Sequence, residues 1–142
     1  MADYVATAET EIEASPEQVW EVLTDPDEVK KFMFGAEVRT DWRQGSPITW
    51  QGEYEGKKYT DKGEILAVET GRLLKVTHYS PLSGQPDEPE NYHTLTYELT
   101  GDGDRTHLKL SQDNNGSQEE ADHSRGMWEM LVKGVKEAAE SR

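Results

Sequence analysis

The chain has 142 residues, and its 29 acidic and 15 basic residues give it a net charge of −14. Nucleic acids and anionic membranes are disfavoured as partners, because phosphate contacts need a basic patch and the acidic residues are spread along the whole chain. The lack of cysteine excludes disulfides, thiolate zinc sites and a cysteine nucleophile. Neither a signal peptide nor an apolar stretch of membrane length is visible, so a cytoplasmic location is expected.

The length fits one domain over residues 1–142, with four Trp, six Tyr and two Phe available for its core. Alternation of apolar and polar residues over positions 4–12 predicts an opening strand. Two helix starts follow at residues 15–18 and 25–28, where a capping residue precedes a proline and an acidic or amide side chain follows. They predict two short helices, the second ending near Phe32.

A run of strands joined by turns follows the short helices. Alternation predicts strands over residues 36–42, 48–54, 58–69, 72–79, 94–99 and 106–113. Short connections at 43–47, 55–57, 70–71 and 101–104 predict that neighbouring strands pair in antiparallel fashion. The exception is a proline-rich acidic loop at 80–91.

A long C-terminal helix is predicted after a third capping box at residues 117–120. Its apolar stripe, flanked by Met127, Met130 and Val132, consists of Ala121, Ser124, Trp128, Leu131, Val135 and Ala138. Such a helix must bury one face, and the inner face of the sheet is the large apolar surface available to it. The sequence therefore predicts an α+β fold in which a curved antiparallel sheet is wrapped around a long C-terminal helix.

Several local motifs resemble one known family. They occupy residues 14–20 and 23–26, 63–65 with 72–73, 94–99, 106–110, and 126–128 with Leu131. In order and spacing the chain resembles the homologues of the activator of heat-shock protein 90 ATPase, within the START-like or SRPBCC superfamily. The resemblance implies the helix-grip fold and a cavity that takes lipids, hormones, polyketides or other apolar molecules. It implies neither a fixed reaction nor a cofactor.

Strand parity and helix spacing select the residues expected to face this cavity. From the sheet and the helix they are Trp50, Tyr54, His78, Tyr97, Gln112, Met127, Trp128 and Leu131. Aromatic walls with a few polar groups suit a small apolar or aromatic ligand. The same residues could simply fill the core, and that alternative stays open.

The histidines do not suggest a metal site. None of the four, at positions 78, 93, 107 and 123, has a histidine partner at metal-ligand spacing or an acidic neighbour that the sequence places on the same face. His107 is expected to face outward beside Lys109, whereas His78 alternates with Leu74 and Val76 and is expected to face inward.

Three classes of function remain. The leading hypothesis is that the protein binds a small apolar or aromatic molecule between the sheet and the C-terminal helix, without cofactor or metal. The alternatives are a co-chaperone-like domain that docks a basic chaperone partner through the loop at 80–91 and the acidic surface, and a cyclase-like or hydrolase-like enzyme that uses His78 or Gln112 in the cavity. An enzyme is the less favoured reading, because no nucleophile elbow or phosphate loop is present.

Overall fold

A computed structural model of the protein describes residues 4–81 and 84–141. Seven strands form one curved antiparallel sheet that is accompanied by two short helices and a long C-terminal helix. The elements in chain order are β1 (Tyr4–Ile12), α1 (Pro16–Leu23), α2 (Pro26–Phe32), β2 (Glu37–Arg39), β3 (Pro47–Tyr54), β4 (Lys57–Glu69), β5 (Leu73–His78), β6 (His93–Asp102), β7 (Arg105–Asn115) and α3 (Gln118–Glu140). A 3₁₀ turn at Pro89–Asn91 lies in the loop between β5 and β6.

The sheet has the strand order β1-β7-β6-β5-β4-β3-β2. Strands β2 to β7 therefore follow one another as hairpins, as predicted, and β1 pairs with the last strand. A two-residue turn joins β3 and β4, where Glu55 and Gly56 both have positive φ, at 49° and 81°. Two such residues form the type of turn that follows the twist of a hairpin, and the turn sets Tyr54 opposite Lys57.

The helix starts follow the predicted capping chemistry. Ser15 accepts a hydrogen bond from the backbone N–H of Gln18, whose side chain accepts one from the N–H of Ser15, so the box is complete. At α3, Ser117 accepts from the N–H of Glu120, but the Glu120 carboxylate reaches the N–H of Gly116 instead of that of Ser117. The hydrogen bonds at the start of α3 thus involve Gly116, the residue before the predicted box, as well as Ser117 and Glu120.

The second strand is shorter than predicted. It was expected over residues 36–42, but β2 covers only Glu37–Arg39. Pairing with β3 ends at Arg39, and at Trp42 the backbone takes a φ of +60°, a left-handed conformation that bulky residues rarely adopt. The connection from Arg39 to β3 is therefore irregular.

Helix α3 buries one stripe against β1, β7 and the two short helices. The buried residues of the stripe are Ala121, Trp128, Leu131, Val132, Val135 and Ala139. They join the inward residues of the sheet in one hydrophobic core, which confirms the predicted grip of sheet on helix. Among the residues that the structure describes, no helix is both long enough and apolar enough to cross a bilayer.

Candidate functional site

A small cavity lies on the concave side of the sheet. Its walls come from α1, α2, the connection before β3, and strands β3, β5 and β6; they are Leu23, Val29, Phe32, Met33, Trp42, Ile48, Trp50, Leu74, Val76 and Tyr97. The space amounts to about 20 Å³, which holds about one water molecule. The sequence placed the cavity between the sheet and the C-terminal helix. In the structure its lining residues belong to the short helices and the sheet, because α3 packs toward the β1–β7 edge.

Of the predicted site residues, Trp50 and Tyr97 line this cavity. Both alternate with polar neighbours on their strands, and both are almost fully buried. Burial raises the pKa of the Tyr97 hydroxyl well above its usual range, so this group stays neutral. These two residues give the cavity an aromatic wall.

Apart from His78, the other predicted residues divide into three groups. Gln112 on β7 and the α3 residues Trp128 and Leu131 are buried in the core. Met127 differs from the expectation, since it is 41% exposed; it lies about 100° round the helix axis from Trp128. Tyr54 ends β3, but its side chain lies outside the described part of the structure.

His78 lies in a cluster that the sequence did not anticipate. Its Nε2 is 2.9 Å from Oδ2 of Asp61, and its ring meets the Trp50 ring edge-on, with centroids 5.0 Å apart. The expectation that no histidine has an acidic neighbour on its own face was therefore wrong. Because both side chains are only 13% exposed, this contact is largely screened from water. Trp50 connects the His78–Asp61 pair with the cavity, because its side chain lines the cavity and its ring contacts His78.

The pairing of strands explains why these three residues share a face. Trp50 on β3 stands directly opposite Asp61 on β4. The bridge between Lys62 and Tyr79 places Gly63 opposite His78, so Asp61 and His78 are diagonal neighbours. A glycine is needed at position 63, because a Cβ there would collide with the backbone carbonyl of Thr77. The hairpin turn at Glu55 and Gly56 is the sequence signal that could have revealed Asp61.

Four buried polar side-chain atoms lack a hydrogen-bond partner within the described residues. They are Oδ1 of Asp61, Nδ1 of His78, Oε1 of Gln112 and Nε1 of Trp128. Asp61 and His78 share the face of the buried Trp50, Gln112 stands opposite the fully buried Leu95, and Trp128 belongs to the buried stripe of α3. All four atoms thus belong to the side of the sheet that faces the helices.

Trp42 is a cavity residue that strand parity could not identify. It follows β2 in the left-handed conformation, at φ +60°, and it is only partly buried against the core. Phe34, just after α2, has φ +57° and is 49% exposed. Bulky residues in this conformation store strain, which proteins keep mostly at functional sites.

His107 shows a different arrangement on the outer part of the β1–β7 pair. Its Nδ1 is 2.6 Å from Glu11 and its Nε2 is 2.8 Å from Glu9. The two carboxylates raise the pKa of the imidazole, chiefly by hydrogen bonding. Because Glu11 contacts Nδ1 and Glu9 contacts Nε2, the two carboxylates lie at opposite edges of the ring and do not converge on a common point. No three His, Asp or Glu side chains of residues 4–81 and 84–141 are grouped as metal ligands.

Comparison with known proteins gives the family. The sequence pattern described as Activator of Hsp90 ATPase homolog 1-like protein matches residues 13–140. The solution structure of ChR145 from Cytophaga hutchinsonii is 43% identical to this chain, covers 96% of it and 94% of its own length, and has a TM-score of 0.83. No curated protein sequence matches.

Two more distant structures share the fold. The Aha1 dimer from Colwellia psychrerythraea is 19% identical, with 99% of this chain and 97% of that chain covered and a TM-score of 0.72. CalU16 from Micromonospora echinospora is 21% identical, with 98% and 87% covered and a TM-score of 0.71. The match over residues 13–140 and the 43% identity lead to one conclusion: this chain belongs to the family of activator of Hsp90 ATPase homolog 1-like proteins.

Proposed function

We propose that the protein binds a small apolar or aromatic molecule on the concave side of its sheet, beside Trp50 and Tyr97. The observation that carries this proposal is an apolar cavity walled by Trp50 and Tyr97, beside which the Asp61–His78 pair leaves two buried polar atoms, Oδ1 of Asp61 and Nδ1 of His78, without partners. Each such atom costs about 1–3 kcal/mol. Ligand sites combine apolar walls with a few polar groups that fix orientation, and a bound molecule would supply the missing partners.

The present cavity must widen to admit such a molecule. It offers about 20 Å³, whereas a cavity that binds benzene has a volume of about 150 Å³. Trp42 is the wall residue best suited to move, because it is only partly buried and no strand pairing holds it. Its left-handed backbone stores about 1–3 kcal/mol of strain, which a rearrangement would release. We therefore assign the opening to the connection that carries Trp42.

The proposal is tested by mapping chemical shifts while neutral aromatic compounds and fatty alcohols are added. Backbone and side-chain signals of Trp50, Val76 and Tyr97 should shift together and saturate. Val29→Phe should abolish these shifts, since Val29 lines the cavity from α2 and the larger ring would fill it. Overpacking of this kind costs about 1–3 kcal/mol, so circular dichroism should confirm that the variant is folded.

Met130→Phe is the matched control. It introduces the same side chain on α3 at a residue that is 64% exposed, and it should leave binding unchanged. Equal loss of binding in both variants, or the absence of shifts at the cavity residues of the native protein with every compound, would contradict the proposal.

A chaperone-binding role is the second candidate. Two observations favour it: membership of a family named for an activator of Hsp90, and the exposed Met127 and Met130 on α3. Binding to purified Hsp90 that weakens with salt and survives Val29→Phe would support this role over the cavity.

A further inference from the structure

We infer that His78 and His93 form a two-histidine site for a divalent transition-metal ion such as Zn²⁺, with Asp61 as its positioning residue. The site goes beyond the proposed function and does not require the apolar cavity to open. It arises from strand pairing, because His78 on β5 stands directly opposite His93 on β6. Side chains of directly paired residues share a face of the sheet, with their Cβ atoms about 4.5–5.5 Å apart.

The hydrogen bonds of the two rings decide which ring nitrogens are available to a metal ion. Nε2 of His78 is 2.9 Å from a carboxylate oxygen of Asp61, and Nδ1 of His93 is 2.8 Å from the backbone carbonyl oxygen of Asp113. A carbonyl and an ionised carboxylate can only accept hydrogen bonds, so both of these ring nitrogens donate. In the neutral rings, the lone pairs therefore belong to Nδ1 of His78 and Nε2 of His93.

Histidine ligands of metal ions have this same arrangement. A metal-binding imidazole almost always donates its other N–H to a carboxylate, a backbone carbonyl or water, which fixes the tautomer and the orientation of the ring. His78 donates to the carboxylate of Asp61, and His93 donates to a carbonyl. The Trp50 ring meets His78 edge-on and restricts this imidazole further. Two imidazoles held in this way suit Zn²⁺, Cu²⁺ or Ni²⁺.

The free nitrogen of His78 is a second observation that points to a ligand. Nδ1 is buried and has no hydrogen-bond partner in the part of the chain that the structure describes. A buried polar atom without a partner costs about 1–3 kcal/mol, and a metal ion would provide the partner. His93 lies where an ion can enter, because it lines an open cleft of about 760 Å³ between the loop before β6 and the start of α3.

Two protein nitrogens leave the metal ion with open coordination positions. Within residues 4–81 and 84–141, no third His, Asp or Glu completes a metal-binding group. Asp61 contacts Nε2 of His78 and not Nδ1, so it orients the imidazole and its Oδ1 stays available to a molecule bound beside Trp50. Zn²⁺ usually has four ligands, so water fills the remaining positions and the ion binds reversibly.

The test is a calorimetric titration of the protein with Zn²⁺ in excess Mg²⁺. Mg²⁺ prefers oxygen ligands and occupies the acidic surface, so the remaining heat reports nitrogen ligands. One Zn²⁺ should bind per chain. His78→Gln and His93→Gln should each weaken binding about tenfold or more, because each removes one of the two ligands. Asp61→Asn should also weaken it about tenfold or more, as the loss of an orienting carboxylate does at other sites.

His107→Gln is the matched control. It removes an imidazole that also contacts carboxylates, those of Glu9 and Glu11, but that lies on the outer part of the β1–β7 pair. Zn²⁺ binding should be unchanged in this variant, and circular dichroism should confirm that every variant is folded. Zn²⁺ binding that is lost in His107→Gln, or that survives both His78→Gln and His93→Gln, would overturn the inference.

The imidazole nitrogen signals of the native protein give a test that needs no variant. Zn²⁺ should shift Nδ1 of His78 and Nε2 of His93, while the other nitrogen of each ring stays protonated. Saturable shifts confined to other histidines, or no saturable shift at all, would refute the metal site. Neither result affects the apolar site, because that site is tested with neutral compounds and without Zn²⁺.

Discussion

His107 is held between two carboxylates, and this arrangement makes the stability of the protein depend on pH. Both ring nitrogens can donate to Glu9 and Glu11 only when the imidazole is protonated. Folding therefore raises the pKa of His107 above its unfolded value of about 6.5. The stabilisation is fully present below the unfolded pKa and is lost as the pH rises through the folded pKa.

The first prediction concerns this histidine. The native protein should be more stable than His107→Gln at about pH 5.5, and the difference should disappear by about pH 9, above the histidine range. Urea unfolding at a series of pH values measures it. The double variant Glu9→Gln, Glu11→Gln is the control, because it keeps the imidazole but should remove most of its effect. A difference that grows with pH would have the wrong sign.

At the scale of single residues, the sequence identifies site residues only where the backbone is regular. Trp50 and Tyr97 follow strict alternation, so their inward orientation was predictable. Met127 is next to Trp128 on α3, and consecutive helix residues differ by about 100° in direction. The apolar stripe is broad, so the sequence does not show whether Met127 lies within the buried face or at its exposed edge. Trp42 has a backbone conformation that no propensity assigns to tryptophan.

At the scale of elements, a bulge in the β4–β5 pair decides which side chains meet. Glu69 pairs with Leu73 near the turn, but beyond the irregularity between Ile65 and Ala67, Ile65 pairs with Val76. The register thus shifts by one residue. Without the shift, His78 would stand opposite Glu64, and Asp61 would face the other side of the sheet. The lengths of the hairpins alone could not predict the His78–Asp61 pair, because no residue type in β4 indicates in the sequence that a bulge is present.

The second prediction compares two glycines in different elements. Gly63→Ala should destabilise the protein by about 1–3 kcal/mol or more, because the added methyl collides with backbone at Thr77 that belongs to the paired strand. Gly126→Ala in α3 should stabilise it by about 0.5–1 kcal/mol, since nothing lies within 4 Å of the new methyl and alanine favours a helix.

Urea denaturation of both variants measures these changes, and the opposite signs make each variant a control for the other. In Gly63→Ala, the His78 ring signals should also change, because residue 63 stands opposite His78 in the sheet. A neutral Gly63→Ala with unchanged His78 signals would contradict the close approach of β4 and β5.

At the scale of the whole molecule, the order of elements was the most predictable feature. Capping boxes, short turns and the apolar stripe of the last helix each restrict the local conformation of the chain. Together they favour a fold in which the sheet wraps around α3. The position and size of the cavity were not predictable in the same way. The position and size of the cavity depend on how closely α3 packs against β1 and how closely α2 packs against α3. Each of these packing arrangements results from many small contacts.

The third prediction concerns the net charge of −14. Repulsion among the acidic residues destabilises the compact state, while the ion pairs at the surface, such as Arg72–Glu69 and Arg105–Glu13, are exposed and contribute little. Raising NaCl from about 0.01 M to about 0.15 M shortens the screening length from about 30 Å to about 8 Å. The Tm at pH 7 should therefore rise by a few degrees, which corresponds to about 1 kcal/mol for a domain of this size.

The control is the same salt series near the isoelectric point of about 4.6, where the net charge is close to zero and the rise should vanish. Scanning calorimetry at both pH values distinguishes screening of net charge from any general effect of the salt, because only the former disappears with the charge. A Tm at pH 7 that falls with NaCl would mean that the ion pairs outweigh the repulsion between the acidic residues, and that the acidity is organised rather than merely dispersed over the surface.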